Sequence, residues 1–256
     1  MDLELTGKRA LVLGASRGLG MAIARSLAAE GAIVLAAARS RDKIDAWADG
    51  MDNVHPVALD IADIAQIDAL ADRLLAEGGV DIVVNNGGGP PPGTAQAAER
   101  GAWIAHFEAM AANLFHLTGR LLPQMKARQW GRVISITSSG VEQPIPNLAL
   151  SNGIRSAVVG WSKTLANEVA GDGITVNVVM PGRIHTSRVD ELDAAAAKRT
   201  ETDVAEVAAR SRAAIPAGRY GKPEEFADVV TFLASARAGY VTGARIRIDG
   251  GAIKSI

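Results

Sequence analysis

Seven short apolar runs rich in β-branched residues alternate along this chain with longer, Ala- and Leu-rich segments of helical period. The runs are RALVLG, AIVLAAA, VHPVALD, VDIVVNN, GRVISITS, GITVNVVM and ARIRID. Helices are predicted between them, near 18–30, 41–49, 63–77, 96–128, 150–170, 189–212 and 223–235. This alternation is typical of a parallel sheet covered by helices on both faces. We therefore predict an α/β fold in three layers, with a doubly wound seven-stranded parallel sheet, as a single domain over residues 1–256.

The charge balance and the residue types that are absent narrow the partners. Lys and Arg number 27 against 28 Asp and Glu, so no overall field attracts nucleic acid or an anionic membrane. The chain has 0 cysteines, and its 4 histidines lack metal-ligand spacing, so neither a disulfide nor a metal site is predicted. No apolar stretch approaches the roughly 20 residues that span a bilayer, and the first residues do not resemble a signal peptide. We expect a cytoplasmic protein with a small-molecule partner.

A glycine-rich turn follows the first predicted strand and opens the first predicted helix. In LVLGASRGLGMAIARSLA, the glycines are Gly14, Gly18 and Gly20. Glycines let backbone N–H groups approach a pyrophosphate closely, and the positive end of the following helix favours its negative charge. Three glycines can also form an ordinary tight turn. Because strand, turn and helix come in the order that a phosphate loop requires, the sequence favours nucleotide binding.

Several motifs together resemble those of the short-chain dehydrogenase/reductase family. The glycine spacing is G-x-x-x-G-x-G, and NNGG at 85–88 is similar to the family's N-N-A-G, with Gly87 in place of alanine. NVVMPGRIHT and GARIRIDGG match two later family segments, and Leu13 departs from the usual threonine. The resemblance covers almost the whole chain and is closest to the β-ketoacyl-(acyl carrier protein) reductases. It implies a Rossmann-type fold and an oxidoreductase acting on C=O or CH–OH groups.

The resemblance also assigns the cofactor contacts. Asp60, expected at the end of the third strand, matches an adenine-contacting aspartate, while Pro181, Gly182 and Thr186 match residues that flank the nicotinamide. The full set of predicted cofactor-binding residues is Gly14, Ser16, Arg17, Gly18, Leu19, Gly20, Arg39, Ser40, Asp60, Ile61, Asn86, Gly87, Gly88, Arg155, Pro181, Gly182, Ile184 and Thr186.

The end of the second predicted strand indicates which dinucleotide binds. An acidic residue there would bind a ribose 2′-hydroxyl and repel a 2′-phosphate. This chain instead has Ala37 and Ala38, followed by Arg39 and Ser40, and Arg17 of the glycine-rich turn is a further guanidinium within possible reach. Because arginine binds phosphate through paired charge-assisted hydrogen bonds, NADP(H) is favoured over NAD(H). The alternative is that these arginines are solvated surface charges.

Four residues match the family's catalytic positions. The resemblance places Asn113 on the asparagine that holds a water of the proton relay and Ser138 on the serine that orients the carbonyl. The tyrosine and lysine of the family's Y-x-x-x-K motif are replaced by Ser151 and Arg155. A serine hydroxyl is a much weaker acid than a phenol, and arginine remains protonated, so neither replacement reproduces the family's acid/base pair. Arg155 could instead hold ribose hydroxyls or an anion of the substrate.

Two alternatives remain open for this pair and for the protein. Ser151 could be the N-cap of the following helix, with Arg155 a solvated charge on that helix. We favour an NADP(H)-dependent reductase of a carbonyl substrate, 3-oxoacyl or keto-acid-like, with an altered acid/base site. The alternative is a catalytically silent dinucleotide-binding protein, acting as a sensor or as a partner subunit. Dehalogenase-like chemistry on the same fold is less favoured.

The family resemblance carries two further expectations. It implies a homotetramer, paired through the predicted helices at 96–128 and 150–170, and a substrate lid at about 187–212. The stretch GGGPPPG, at 87–93, follows the fourth strand and either lines the ligand cleft or forms an exposed turn.

Overall fold

The protein is described by a computed structural model that covers residues 1–255. It contains a seven-stranded sheet in the order β3-β2-β1-β4-β5-β6-β7, and every adjacent pair is parallel. The strands are β1 (Arg9–Leu13), β2 (Ile33–Ala38), β3 (Val54–Ala58), β4 (Ile82–Asn85), β5 (Gly131–Ile136), β6 (Ile174–Pro181) and β7 (Arg245–Ile248). The chain order reverses between β1 and β4, which is where such sheets open a ligand crevice at the carboxyl ends of their strands.

Helices cover both faces of the sheet. They are α1 (Gly18–Ala29), α2 (Arg41–Trp47), α3 (Ile64–Ala76), α4 (Arg100–Phe107), α5 (Asn113–Ala127), α6 (Ala149–Val169), α7 (Ser187–Thr200), α8 (Val204–Ala213) and α9 (Pro223–Ala234). The predicted three-layer, doubly wound α/β fold of Rossmann type is therefore confirmed.

Two apolar clusters hold the helices on the sheet. On one face, Leu27 of α1 and Phe226 of α9 are fully buried against residues of the central strands. On the other face, α3, α5 and α6 contribute Leu70, Leu117 and Leu165 to the second cluster. Strands that are covered on both faces have continuous apolar sequences rather than alternating ones. The strand sequences of this chain are continuous apolar runs of that kind.

Two predicted helices are interrupted. The segment predicted as one helix at 96–128 contains α4, a π-helical turn at Glu108–Ala112, and then α5. The segment at 189–212 is divided because Glu201, with a φ of 51°, ends α7 in the left-handed region, and the Asp203 side chain then caps α8. Periodicity gave no sign of either interruption, although Asp203 at the second one is a residue type that favours helix N-caps. The third strand also ends earlier than expected, at Ala58, which leaves Asp60 in the following loop.

Within residues 1–255, no helix has the length and apolar character needed to cross a bilayer. The same residues contain no group of three or more His, Cys, Asp or Glu side chains arranged to hold a metal ion.

Candidate active site

The glycine loop, residues 14–20, connects β1 to α1 at the carboxyl edge of the sheet. Gly14 and Gly18 have φ values of 65° and 59°, in the left-handed region that favours glycine. A Cβ on Gly20 would overlap the backbone carbonyl of Gly14. Arg17 occupies the N-cap of α1 and makes no side-chain capping bond there, so the first N–H groups of the helix remain free for an anion. The loop therefore fits the pyrophosphate of a dinucleotide.

Asn86, directly after β4, holds the glycine loop by hydrogen bonds. Its Nδ2 donates to the carbonyl of Leu13 at 3.1 Å and to that of Gly14 at 3.5 Å. A Cβ on Gly14 would lie only 2.7 Å from that same nitrogen. Gly88, two residues later, has no atom within 4 Å of a Cβ built on it. Asn86 therefore fixes the backbone of the glycine loop.

The two arginines expected at a 2′-phosphate occupy different environments. Arg39 follows β2, is exposed, and makes no ion pair or side-chain hydrogen bond within residues 1–255. Ser40 takes the N-cap position of α2 without a capping bond. Arg17 points elsewhere, because its Nη1 lies 3.2 Å from both Ser187 Oγ and Glu191 Oε1 of α7. In this structure Arg17 connects the glycine loop to the predicted lid.

The residues after β3 meet those after β4. The Asp60 carboxylate accepts a hydrogen bond from the backbone N–H of Ala62 at 3.0 Å and so stabilises its own turn. Ile61 lies beside Gly87, where a Cβ would be 3.0 Å from the Ile61 Cδ1. The Ile61 carbonyl accepts a hydrogen bond from Asn113 Nδ2 at 2.9 Å. Asn113 follows the π-helical turn directly, and π-turns are common at functional sites.

The segment after β6 approaches the glycine loop. Gly182 donates its N–H to the Ile248 carbonyl at 2.9 Å, and a Cβ on it would overlap Asp249. Ile184 is 4% exposed and packs in the core. Thr186 lies close to Gly18, at 3.6 Å from a Cβ built there. The fold therefore brings the predicted nicotinamide-flanking segment against the predicted pyrophosphate loop.

Ser138 and Ser151 lie on adjoining elements. Ser138 follows β5, is half-buried, and its Oγ accepts a hydrogen bond from the Gly140 N–H at 3.1 Å. Helix α6 begins at Ala149 with Leu148 at its N-cap. Ser151 is therefore inside the first turn, and the alternative in which it caps the helix is wrong. Its side chain is half-buried.

Arg155 reaches from α6 to the carboxyl end of β5, where its Nη1 donates to the Ile136 carbonyl at 2.9 Å. Burial and, to a smaller extent, the positive charge of Arg188 on α7 together lower the pKa of its guanidinium to about 10. The side chain is still a cation at neutral pH. The alternative in which Arg155 is only a solvated charge on the helix is therefore wrong. It lines a cavity together with Gly87 and Gly88.

Some residues of this region were not anticipated from the sequence. Asn85 and Ser135 line the cavity beside Arg155, and their only sequence signal was a polar side chain inside an otherwise apolar strand. Asp193 of α7 is buried, with its carboxylate 2.5 Å from Arg183 Nη1 and 2.6 Å from the hydroxyl of Tyr220. Tyr220 thus holds α7 in place, and nothing brings it beside Ser138.

A family model described as Enoyl-(Acyl carrier protein) reductase matches residues 14–252. The chain belongs to the short-chain dehydrogenase/reductase family. The 3-oxoacyl-(acyl-carrier-protein) reductase FabG of Vibrio cholerae is 37% identical over 253 residues, which are 97% of this chain and 98% of that protein. This short-chain family member is accordingly an oxidoreductase of the C=O/CH–OH class.

Solved structures of other family members share the same architecture. L-Sorbose reductase from Gluconobacter frateurii, complexed with NADPH and L-sorbose, superimposes with a TM-score of 0.93 at 33% identity and covers 100% of both chains. A variant of actinorhodin polyketide ketoreductase with NADPH gives a TM-score of 0.91 at 30% identity, covering 97% of this chain and 98% of that one. The resemblance predicted from the motifs is confirmed.

Proposed function

We propose that this chain is an NADPH-dependent reductase of a small carbonyl substrate, with a non-standard acid/base site. The observation that carries the proposal is the glycine loop, in which Gly14, Gly18 and Gly20 each hold a backbone position where a side chain is strained or excluded. Such a loop, ahead of a helix whose N-cap side chain makes no capping bond, favours binding of a dinucleotide pyrophosphate. NADPH, when bound, supplies the hydride.

The preference for NADPH rests on Arg39 and on the apolar end of β2. Ala37 and Ala38 contribute no carboxylate that would repel a 2′-phosphate, and Arg39 has no competing partner within residues 1–255. Arg17 becomes a second phosphate ligand once it leaves Glu191. The sorbose reductase and polyketide ketoreductase structures named above both contain NADPH, which supports the same assignment.

The substrate oxygen is proposed to lie between Ser138 and Ser151, which donate hydrogen bonds to it. The cation of Arg155 stabilises the negative charge that develops on that oxygen as the carbonyl is reduced. Neither serine is acidic enough to be the final proton source at neutral pH. Asn113 commits Nδ2 to Ile61, so its amide oxygen is the group that can hold a proton-delivering water.

The substrate is proposed to be a 3-oxoacyl or keto-acid-like compound. Two facts support this class: the relative described above is a 3-oxoacyl-(acyl-carrier-protein) reductase, and the site carries a cation without the tyrosine that its family usually places beside it. A positive site favours carbonyl compounds that carry a nearby negative group.

The quaternary structure, the lid and the location remain proposals. We propose a homotetramer that pairs through α5 and α6, and a substrate lid formed by α7 and α8 within residues 187–212 of the single domain. The Asp193 contacts with Arg183 and Tyr220 would anchor that lid. Location in the cytoplasm likewise stays a prediction. Elution of the purified protein as a monomer in gel filtration would contradict the tetramer.

The test separates binding from turnover. Purified protein is titrated with NADPH and with NADH while nicotinamide fluorescence is followed, and is then given NADPH with ketones, keto acids and β-ketoacyl thioesters. The expected result is tighter binding of NADPH and oxidation of NADPH with at least one oxo acid or thioester. NADPH binding without turnover across the panel contradicts the reductase and is the behaviour of a sensor or partner subunit. Absence of binding overturns the proposal altogether.

A further inference from the structure

The cavity beside Arg155 has a polar lining that the proposed reduction does not use. Asn85 ends β4 and Ser135 lies directly across from it in the register of β4 and β5. Both side chains are buried, at 2% and 1% exposed, and both line the cavity with Arg155. The Asn85 Oδ1 and the Ser135 Oγ have no hydrogen-bond partner within residues 1–255. Buried polar atoms without partners are rare, and here two of them line one cavity beside a cation.

Arg132, which is 3% exposed, is an arginine whose guanidinium has several acceptors. Arg132 on β5 donates to three backbone carbonyls, those of Ser235, Gly131 and Gly173, and stacks 4.2 Å over the ring of Trp130. Arg155 donates to one carbonyl, that of Ile136, and forms no ion pair within residues 1–255. A guanidinium has five N–H donors, so most of those on the half-buried Arg155 have no acceptor within residues 1–255 and can bind a ligand.

The Asn85 amide can supply a further donor. Its Nδ2 donates to the Thr118 hydroxyl at 3.1 Å, and this contact leaves the amide oxygen unpaired. After a half-turn of the amide, the Thr118 hydroxyl donates to the oxygen, and the NH₂ group is free for the cavity. The lining then presents the Arg155 guanidinium, the Ser135 hydroxyl and the Asn85 amide, all of them donors. The rest of the lining is mostly apolar and includes Phe115 and Trp161.

We propose that Arg155, Ser135 and Asn85 form a binding site for one small monovalent anion of halide size. The cavity is too narrow for an organic substrate and holds a single ligand of roughly water size. In the absence of substrate, an anion there balances the positive charge of the Arg155 guanidinium. The site is present without any cofactor, so it does not depend on the proposed reductase activity.

The test uses the full chain without cofactor. Thermal unfolding is measured in sodium chloride, sodium bromide and sodium gluconate at equal ionic strength, and ³⁵Cl NMR line widths follow chloride binding directly. Chloride and bromide are expected to raise the melting temperature saturably, by about 2–4 °C over gluconate. An equal melting temperature in all three salts would overturn the proposal.

Variants locate the effect. Arg155→Met is expected to abolish the halide response and the ³⁵Cl broadening, whereas Arg25→Met, at an exposed arginine of α1, is expected to leave both unchanged. Ser135→Ala keeps the charge and removes one donor, so the anion is expected to bind about 10-fold more weakly. This variant keeps the test decisive should Arg155→Met fold poorly. A halide response that survives unweakened in Ser135→Ala, or that disappears in Arg25→Met, contradicts the assigned site.

Discussion

The glycine loop and the start of α6 are the two halves of one proposed site, and they differ in the amino-acid substitutions that they accept. In the proposed site the glycine loop binds through backbone atoms, and its glycines are fixed by positive φ angles and by the close approach of Asn86 and Gly14. The start of α6 is proposed to act through side chains, and Ser151 and Arg155 occupy ordinary helical positions. A helix accepts many residues, so this half can change its chemistry without any change of fold.

The largest expected effect comes from restoring the family residues in the side-chain half. The double variant Ser151→Tyr with Arg155→Lys places an acidic hydroxyl beside a lysine. It is expected to raise kcat by about 100- to 10,000-fold, which is the usual contribution of a positioned general acid. Steady-state oxidation of NADPH measures the gain. The matched control is Ser151→Phe with Arg155→Lys, which has the ring without the hydroxyl; a gain of equal size there would show that the hydroxyl is not responsible.

The next effect concerns the backbone half. Gly20→Ala adds a methyl group that overlaps the Gly14 carbonyl, and it is expected to weaken NADPH binding by about 100-fold. The control is Gly119→Ala on α5, where an added Cβ has no atom within 4 Å and the helix gains stability. Fluorescence titration measures affinity, and circular dichroism checks the fold. If the folded Gly20→Ala variant binds NADPH as tightly as the unchanged protein, the glycine loop is no more constrained than the start of α6.

A smaller effect is expected at the end of β2. Arg39→Ala removes an exposed guanidinium with no partner within residues 1–255. Because hydrogen bonds to a charged group contribute modestly, the NADPH affinity is expected to fall about 10-fold, with the NADH affinity unchanged. The ratio of the two dissociation constants is the measurement, with Arg25→Ala as the control. An equal loss of affinity for NADPH and NADH would show that Arg39 does not bind the 2′-phosphate.

The smallest effect tests the contact between the glycine loop and α7. Glu191→Gln weakens the hold on Arg17 across its 3.2 Å ion pair and frees that arginine for a phosphate. Surface ion pairs contribute little, so the NADPH affinity is expected to rise by only about 2- to 5-fold. Glu206→Gln, on the exposed face of α8, is the control. A weaker affinity for NADPH in Glu191→Gln would mean that Glu191 assists cofactor binding rather than competing with it.

Much of the site could be predicted because its residues follow strands. Asn86, Gly87, Ser138 and Pro181 all lie at or just beyond the ends of parallel strands, which meet at one edge of the sheet. The contacts that cross elements could not be predicted. The pairing of Arg17 with Glu191 and the influence of Arg188 on Arg155 depend on where α7 lies, and exposed charges in an alanine-rich helix carry no signal for their partners.

The sequence by itself determined the order of strands and helices, the glycine loop and the family, because these depend on periodicity and on glycines that no other residue replaces. Only the tertiary structure decided that Ser151 lies within a helix rather than capping it, and that 96–128 is broken by a π-turn ahead of Asn113. It also decided that Arg155 shares a cavity with Asn85 and Ser135. The physical reason is that burial and unpaired donors arise from the packing of residues distant in the chain, which no local pattern encodes.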